Sequence, residues 1–482
     1  MIFSMATRIE SLSYLDMSDT HPNGDGTVTA QIRMTKADVE FQSEPIPGTA
    51  FAKTVAAGLC SSEIAGGGYY GRIQPETGTS RYMSDRENIG KLELARQRQY
   101  EVGFAMDTEM ITPLLRDTGF HEGVVRIESV QKDPDAPIIP IPFYAPQIVD
   151  GSVRLVKVPF STNFQNGFKL GDFAALDPAI ICNYHADERK HRDEVERTGW
   201  TRQCDRSLEN GHQPKETRGH VGAPGTIVNG LFPISLATMT PLSTELNKYL
   251  QNGDQKRLLV PLNIEPMGCV FHTFGPFLAQ NKVPDNIVLV GDGANTLNML
   301  AFIQAFAPES RVLVVGKTPE KLDVLRSINP GQIATITTNG NRDYSEVDRA
   351  FHDHTGAKKA DVIVPMIPID EEIVTQRLVP GGTAIWWAAS KAEHNPKFMV
   401  KRDGITHILP YGGAPNTEFS AVELFDYLLR HRPEVLQAYL DFPGIAHIGM
   451  GQEAATATQQ WLNNGGRYVD SSGMSKKPVY YM

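Results

Sequence analysis

The stretch NIVLVGDGANTLNMLAFIQAFAPESRVLVVGKTPEKLDVLR, residues 286–326, decides the fold of much of the chain. It begins with a continuous apolar run, Ile287–Val290, of the kind that forms a strand buried on both faces of a parallel sheet. A glycine turn follows, then apolar residues at helical spacing from Leu297 to Phe306, and then a second apolar run, Val312–Val315. This order predicts a β-α-β unit within a doubly wound parallel sheet.

The glycines of the turn, Gly291 and Gly293, lie where the first strand meets the helix. There the backbone N–H groups of a helix N-terminus can hold a dinucleotide pyrophosphate, so Ala294, Asn295 and Thr296 join the glycines as candidate cofactor-binding residues. Thr296 occupies the position at which the dinucleotide fingerprint has a third glycine. An ordinary β-α-β unit without a ligand is therefore the alternative.

The residues after the second strand, Gly316, Lys317 and Thr318, indicate which dinucleotide would bind. NAD-binding units usually carry Asp or Glu there, which accepts a hydrogen bond from the ribose 2′-hydroxyl. A lysine and a hydroxyl beside a small residue would instead accept a 2′-phosphate. We therefore expect NADP(H) to be preferred over NAD(H), with a solvated lysine of no such role as the alternative.

Length, charge and cysteine content narrow the class of protein. At 482 residues the chain exceeds one compact core, which predicts two domains. Its net charge of −10 argues against nucleic acid or an anionic membrane as a partner. The four cysteines are widely spaced and indicate no disulfide framework. The start lacks the layout of a signal peptide and no apolar run reaches membrane-spanning length, so we expect a cytoplasmic protein.

Six motifs follow one another along the chain: Cys60 with Ser62 and Glu63, His121-Glu122 before a strand at Val124–Val130, GFKLGD at 167–172, Glu265-Pro266-Met267, the glycine turn, and LVPGGT at 378–383. Their order resembles that of the zinc-dependent medium-chain dehydrogenases/reductases, the alcohol dehydrogenase-like family, over most of residues 45–465. The runs EPMGC at 265–269, VPMIP at 364–368 and THI at 406–408 resemble most the branch of sorbitol dehydrogenase and L-sorbose-1-phosphate reductase.

The resemblance implies a domain plan. A GroES-like β-barrel catalytic domain would span 1–264, with insertions at about 64–118 and 178–220. A Rossmann nucleotide-binding domain would follow at 265–412, and 413–482 would return to the catalytic domain. The family is usually dimeric or tetrameric, so the resemblance also implies a homodimer or homotetramer.

The resemblance further implies a catalytic zinc held by Cys60, His121 and Glu122, with Glu265 as an alternating ligand or one that acts through a water. A thiolate, an imidazole and a carboxylate suit zinc and leave one position for substrate or water. Ser62 matches the family hydroxyl that passes the substrate proton toward solvent, and an N-cap role for it is equally open.

Other histidines and cysteines are less suited to metal. His220, in RGHVGAPG, is followed by Val221 instead of a carboxylate, so we interpret it as a loop histidine. Only Cys182 and Cys204 lie where the family's structural zinc needs four closely spaced cysteines, so we expect no structural zinc.

The function implied by the resemblance is zinc-dependent, NADP(H)-preferring oxidation and reduction. The substrate would be a small alcohol or polyol and its ketone or aldehyde, in the sugar, ketose or sugar phosphate class. One alternative is a redox-neutral lyase, epimerase or cyclase that oxidises its substrate transiently with a tightly bound cofactor. The other is a metal-free binding protein on the same fold.

Overall fold

The computed structural model describes residues 7–22, 28–45, 48–59, 122–132, 143–149, 152–158, 164–176, 228–236, 239–251, 253–279, 283–338, 344–367, 369–387, 399–402, 404–408, 415–464 and 467–482. The chain divides into two compact units. The first unit comprises Met1–Phe143, Pro159–Glu265 and Ile445–Met482, and the second comprises Tyr144–Val158 and Pro266–Gly444.

The strands, in chain order, are Thr7–Pro22 (β1), Val28–Gln42 (β2), Thr49–Gly58 (β3), Glu122–Gln131 (β4), Phe143–Val149 (β5), Ser152–Val158 (β6), Phe173–Leu176 (β7), Val228–Asn229 (β8), Leu231–Ser235 (β9), Met239–Pro241 (β10), Asn286–Val290 (β11), Arg311–Gly316 (β12), Ile333–Thr337 (β13), Ala360–Pro365 (β14), Leu378–Ile385 (β15), Met399–Arg402 (β16), Ile405–Ile408 (β17), Ile445–Gly449 (β18), Tyr468–Val469 (β19) and Ser475–Tyr481 (β20).

The α-helices are Thr244–Gln251 (α1), Leu259–Leu262 (α2), Ile264–Ala279 (α3), Ala294–Phe306 (α4), Pro319–Ser327 (α5), Ser345–Thr355 (α6), Glu371–Thr375 (α7), Pro415–His431 (α8), Pro433–Asp441 (α9) and Gln452–Asn463 (α10). Short 3-10 helices lie at Phe164–Gly167 and Gln255–Leu258. No helix in the described part of the chain combines the length and the apolar character that crossing a membrane requires.

The second unit is built on a sheet with the strand order β13-β12-β11-β14-β15-β17-β16. The strands from β13 to β17 run parallel, and β16 joins the edge antiparallel to β17. The apolar runs of β11 and β12 are buried because helices cover both faces of such a sheet. The predicted doubly wound Rossmann sheet is confirmed.

The strand order reverses at β11. From β11 the chain proceeds outward to β12 and β13, and then returns to form β14 on the other side of β11. The ends of β11 and β14 are joined by a hydrogen bond from Met366 N to Val290 O, 2.8 Å long. In open α/β sheets this reversal leaves a crevice at the carboxyl ends of the strands, where ligands bind.

The first unit is mainly antiparallel, with the path β10-β7-β4-β3-β20-β18 and with β9 paired to β3. β3 and β4 are paired along their length, and their register ends with Gly58 opposite Glu122. β20, from the end of the chain, pairs with β3 on its other side, where Val479 lies opposite Gly58. This is the β domain of GroES-like type that was predicted beside the Rossmann sheet.

The unit boundaries differ from the predicted domain boundaries at two places. The predicted return to the catalytic domain starts at 413, whereas the C-terminal part of the first unit begins at Ile445. Residues 144–158 also belong to the second unit. The physical reason is packing, because α8 and α9 bury apolar faces against α4, and Tyr144 N donates to Ser420 Oγ of α8 at 2.8 Å.

Candidate active site

The glycine turn joins β11 to the N-terminus of α4. Gly291 has φ of +138°, and a Cβ there would come within 3.0 Å of Met366 Cβ, so both its backbone and its surroundings require glycine. Gly293 is the N-cap residue of α4 and has extended backbone, and no side chain caps the helix at this residue. Among the described residues, no atom lies within 4 Å of a Cβ placed on Gly293. The turn therefore leaves open space beside a helix N-terminus, which suits the pyrophosphate of a dinucleotide.

Thr296 occupies the position of the third glycine of the fingerprint, and its side chain forms a hydrogen bond within the turn. Its side chain is fully buried, and its Oγ1 donates to the carbonyl of Gly291 at 2.9 Å. The same hydroxyl lies 3.2 Å from Sδ of Met366, which follows β14. The threonine thus ties the first turn of α4 to the glycine turn, while Ala294 and Asn295 remain partly exposed in that helical turn.

The second candidate segment, Gly316-Lys317-Thr318, is held by a carboxylate of the glycine turn. Oδ2 of Asp292 accepts the backbone N–H of Lys317 at 2.8 Å and that of Thr318 at 2.7 Å. Gly316 is buried against this side chain, because a Cβ there would come within 2.7 Å of Asp292 Cβ. No sequence motif assigns this role to Asp292, and its position between two turn glycines is the signal that could have indicated it.

The segments proposed to bind metal are described only in part. Cys60, Ser62 and His121 lie outside the described residues, as do His220, Cys182, Cys204 and the whole of both insertions. Cys60 follows Gly58 by two positions and His121 precedes Glu122 by one, and Gly58 and Glu122 are paired in the sheet. Within the residues that are described, no three His, Cys, Asp or Glu side chains form a group that could hold a metal ion.

Glu122 has a cationic partner that the sequence did not indicate. Its side chain is 1% exposed, and its Oε2 forms an ion pair with Nζ of Lys477 in β20. The carboxylate fills the space beside Gly58, where a Cβ would come within 2.8 Å of Glu122 Oε2. Lys477 lies at the far end of the chain and belongs to no motif, so only the sheet pairing of β3 with β20 reveals the contact.

Glu265 is the second buried carboxylate of the candidate set. It is 5% exposed and lies in the first turn of α3. A metal ion at Glu122 would compete with the ammonium of Lys477 for the same carboxylate. The two carboxylates, with the predicted thiolate and imidazole, are donor types that suit zinc.

A second cluster of titratable groups lies in the first unit, between β18 and β20. Nδ1 of His447 and Oη of Tyr481 share a hydrogen bond of 2.9 Å, and their rings stack with centroids 5.6 Å apart. Burial lowers the pKa of His447, and the nearby cations Lys256 and Lys476 lower this pKa further, opposed by Asp254. Burial also raises the pKa of Tyr481, so both groups are neutral at pH 7.

Solved structures resemble the chain over nearly its whole length. They include an alcohol dehydrogenase (TM0436) from Thermotoga maritima, with a TM-score of 0.54 and 13% identity over 98% of this chain and 99% of that one. A short chain alcohol dehydrogenase (rspB) from Escherichia coli CFT073, solved with NADH, has a TM-score of 0.52 and 12% identity over 98% of this chain and 100% of that one.

Galactitol-1-phosphate dehydrogenase from Escherichia coli is similar to the same extent, with a TM-score of 0.52 and 13% identity over 98% of this chain and 100% of that one. No protein-family model and no curated protein sequence matches the chain. The similarity at such low identity is one of fold. The chain has the two-domain fold of these dehydrogenases.

Proposed function

We propose that the protein is an NAD(P)(H)-dependent oxidoreductase that interconverts a small alcohol or polyol and its ketone or aldehyde. The observation that carries this proposal is the glycine turn, where Gly293 leaves open space at the N-terminus of α4 beside the ends of β11 and β14. This is the position at which a Rossmann unit holds a dinucleotide. Alcohol dehydrogenases are also among the solved structures with the same fold.

The substrate class of the proposal is a polyol, ketose or sugar phosphate. The motifs that resemble the sorbitol dehydrogenase and L-sorbose-1-phosphate reductase branch support it. The fold similarity to galactitol-1-phosphate dehydrogenase agrees with it. We also propose that the protein is cytoplasmic and that it forms a homodimer or homotetramer.

The proposed cofactor is NADP(H) in preference to NAD(H). The supporting feature is Lys317, which is exposed at the end of β12, next to a threonine and without an acidic residue on the strand itself. A lysine ammonium can pair with a 2′-phosphate that NAD(H) lacks. The dinucleotide, when bound, would supply or accept the hydride, while Ala294 and Asn295 of the first turn of α4 would face its phosphates.

The proposed metal is one zinc ion, with no structural zinc. Cys60, His121 and Glu122 would hold it, with Glu265 as an alternating ligand or one that acts through a water, and the metal would displace Lys477 from the carboxylate of Glu122. Zinc would supply a Lewis acid for the substrate oxygen. Ser62 would carry the substrate proton toward solvent through its Oγ.

Cofactor binding gives the first test. Because a Cβ on Gly293 meets open space, the Gly293→Val variant should fold normally while its side chain blocks the approach of the dinucleotide. We expect its affinity for NADPH, measured by fluorescence titration, to fall by at least about tenfold. The matched control is Gly331→Val, since Gly331 precedes the amino end of β13 and, within the part of the chain that the structure describes, a Cβ there meets only Oδ1 of Asn329, at 3.7 Å. Equal affinities of the two variants would contradict the proposal.

Metal and turnover give the second test. Elemental analysis should find about one zinc per chain, lost in Cys60→Ala and kept in the control Cys269→Ala. NADPH should be consumed at steady state with a panel of small ketones, aldehydes and ketoses. Cofactor that binds without net consumption would favour the redox-neutral enzyme. Cofactor or substrate binding with neither zinc nor turnover would favour the binding protein.

A further inference from the structure

β12, the second strand of the β-α-β unit, has no acidic residue at its carboxyl end, yet a carboxylate from another segment is present there. Oδ2 of Asp292, from the glycine turn, accepts two hydrogen bonds from the backbone N–H groups of Lys317 and Thr318, at 2.8 and 2.7 Å. The approach is close because Gly316 has no side chain, and a Cβ there would lie 2.7 Å from Asp292 Cβ and 2.9 Å from its Oδ2.

In Rossmann units the end of the second strand is the place at which the 2′ position of the adenosine ribose is recognised. A carboxylate there accepts from a 2′-hydroxyl, and it repels a 2′-phosphate. In this chain the carboxylate comes from the first turn instead of the second strand. It also occupies the two N–H groups that could otherwise donate to a phosphate.

Lys317 and Asp292, the two charged side chains at the end of β12, therefore have opposite effects on the binding of a 2′-phosphate. The exposed ammonium of Lys317 attracts a 2′-phosphate, and the carboxylate of Asp292 opposes it. Lys317 itself and the residue that accepts its N–H group, Asp292, lie at the same short segment. A ribose 2′ group bound at this segment would therefore be close to both charges.

We propose that Asp292 is a specificity-determining residue that restrains the preference for NADP(H), so that the protein binds both NAD(H) and NADP(H). The ratio of the two affinities is set by the balance between Asp292 and Lys317. This inference rests on the proposed function, because it concerns the cofactor of that site.

The test is the substitution Asp292→Asn in the full chain, with NADH and NADPH titrated separately by fluorescence. Asparagine keeps the shape and can still accept from the two N–H groups, so the substitution removes only the charge. We expect the dissociation constant for NADPH to fall by about tenfold at low salt, and that for NADH to change by less than about threefold. The shift should shrink as salt is added, because salt screens the repulsion.

A second variant and a control make the result decisive. Lys317→Met should lower the affinity for NADPH without lowering the affinity for NADH. The ratio of the two affinities should therefore shift in the direction opposite to that in Asp292→Asn. Asp323→Asn removes an exposed carboxylate of α5, paired with Arg326, and should leave both affinities unchanged. Circular dichroism checks that each variant is folded.

Three outcomes are separable. If Asp292→Asn leaves the NADPH-to-NADH ratio unchanged in a folded protein that binds both cofactors, this inference is overturned and the proposed function stands. If Asp292→Asn does not fold, an unshifted ratio in Lys317→Met overturns the inference. If the wild-type chain binds neither cofactor, both proposals fall together.

Discussion

At the scale of single residues, two acidic side chains have partners that no sequence motif indicates. Asp292 holds the end of β12, and Lys477 neutralises Glu122. In both cases a glycine, Gly316 or Gly58, makes room for the carboxylate. Both carboxylates, the partly buried Asp292 and the buried Glu122, therefore have defined partners in the structure.

The lowered pKa of His447 gives a prediction for stability against pH. In the unfolded chain histidine has a pKa of about 6.5, so below that pH the unfolded state binds more protons than the folded state. The free energy of unfolding should therefore decrease as pH falls from about 6.5 through the lower pKa of the folded protein. His447→Gln should flatten this decrease, as measured by urea unfolding between pH 5 and pH 8.

The control for this prediction is His352→Gln, which replaces an exposed histidine of α6. The slope for this variant is compared with the slope for His447→Gln in the same titration. Equal slopes for wild type and His447→Gln would show that His447 does not contribute to the pH dependence of stability.

The place of the glycine turn could be predicted from the sequence because such a turn is a property of the backbone, whereas cofactor binding by its residues stays a prediction. Gly291 and Gly293 lie at a strand-to-helix junction that the apolar runs on either side already indicate. The contacts of Glu122 could not be predicted in this way. Its partner, Lys477, is brought near only by the pairing of strands from opposite ends of the chain. The proposed ligands Cys60 and His121 stay predictions.

At the scale of elements, α4 is the helix on which the second unit depends. Its residues from Thr296 to Phe306 are all buried, because α8 and α9 cover the side that faces away from the sheet. A helix that is buried all round needs its polar side chains satisfied internally. Asn298 meets this need through Tyr439 of α9, whose Oη donates to Asn298 Oδ1 at 2.7 Å.

Tyr439→Phe tests this link between helices. Burial raises the pKa of Tyr439 well above its usual value, so the phenol stays a hydrogen-bond donor. Its loss should lower the free energy of unfolding by about 1–2 kcal/mol, because the bond is buried and leaves the amide with one partner fewer. Tyr427→Phe, at a half-buried tyrosine of α8, should change it by less than about 0.5 kcal/mol in the same denaturant titration. Similar losses in both variants would contradict the assignment.

The strands and helices that could be predicted from the sequence are those with long apolar runs or clear apolar spacing. The strands β11, β12 and β14 follow from continuous apolar runs, and α8 follows from its helical spacing. β13, IATIT, and β16, MVKR, were not predicted because each is short and carries polar residues. Edge strands need less burial than central strands, so their sequences give a weaker pattern.

At the scale of the whole molecule, the proposed cofactor site lies within the second unit. A ligand that binds only the folded state raises the free energy of unfolding by RT ln(1 + [L]/Kd), where [L] is the free ligand concentration. NADPH at about 100 times its dissociation constant should therefore stabilise the chain by about 2.7 kcal/mol. Thermal unfolding should show this as a higher Tm, which Gly331→Val keeps and Gly293→Val loses. An unchanged Tm in the wild type would contradict cofactor binding.

The position of β20 has a consequence for how the protein is made. During translation the segments of the Rossmann sheet, up to Ile408, leave the ribosome well before Ser475–Tyr481. Until those last residues emerge, β3 and β18 lack the neighbour that later lies between them, and Glu122 lacks its counter-ion. Pairings between such distant parts of a chain form slowly, and open strand edges invite association with other chains. The first unit therefore keeps strand edges open until the residues of β20 have been synthesised.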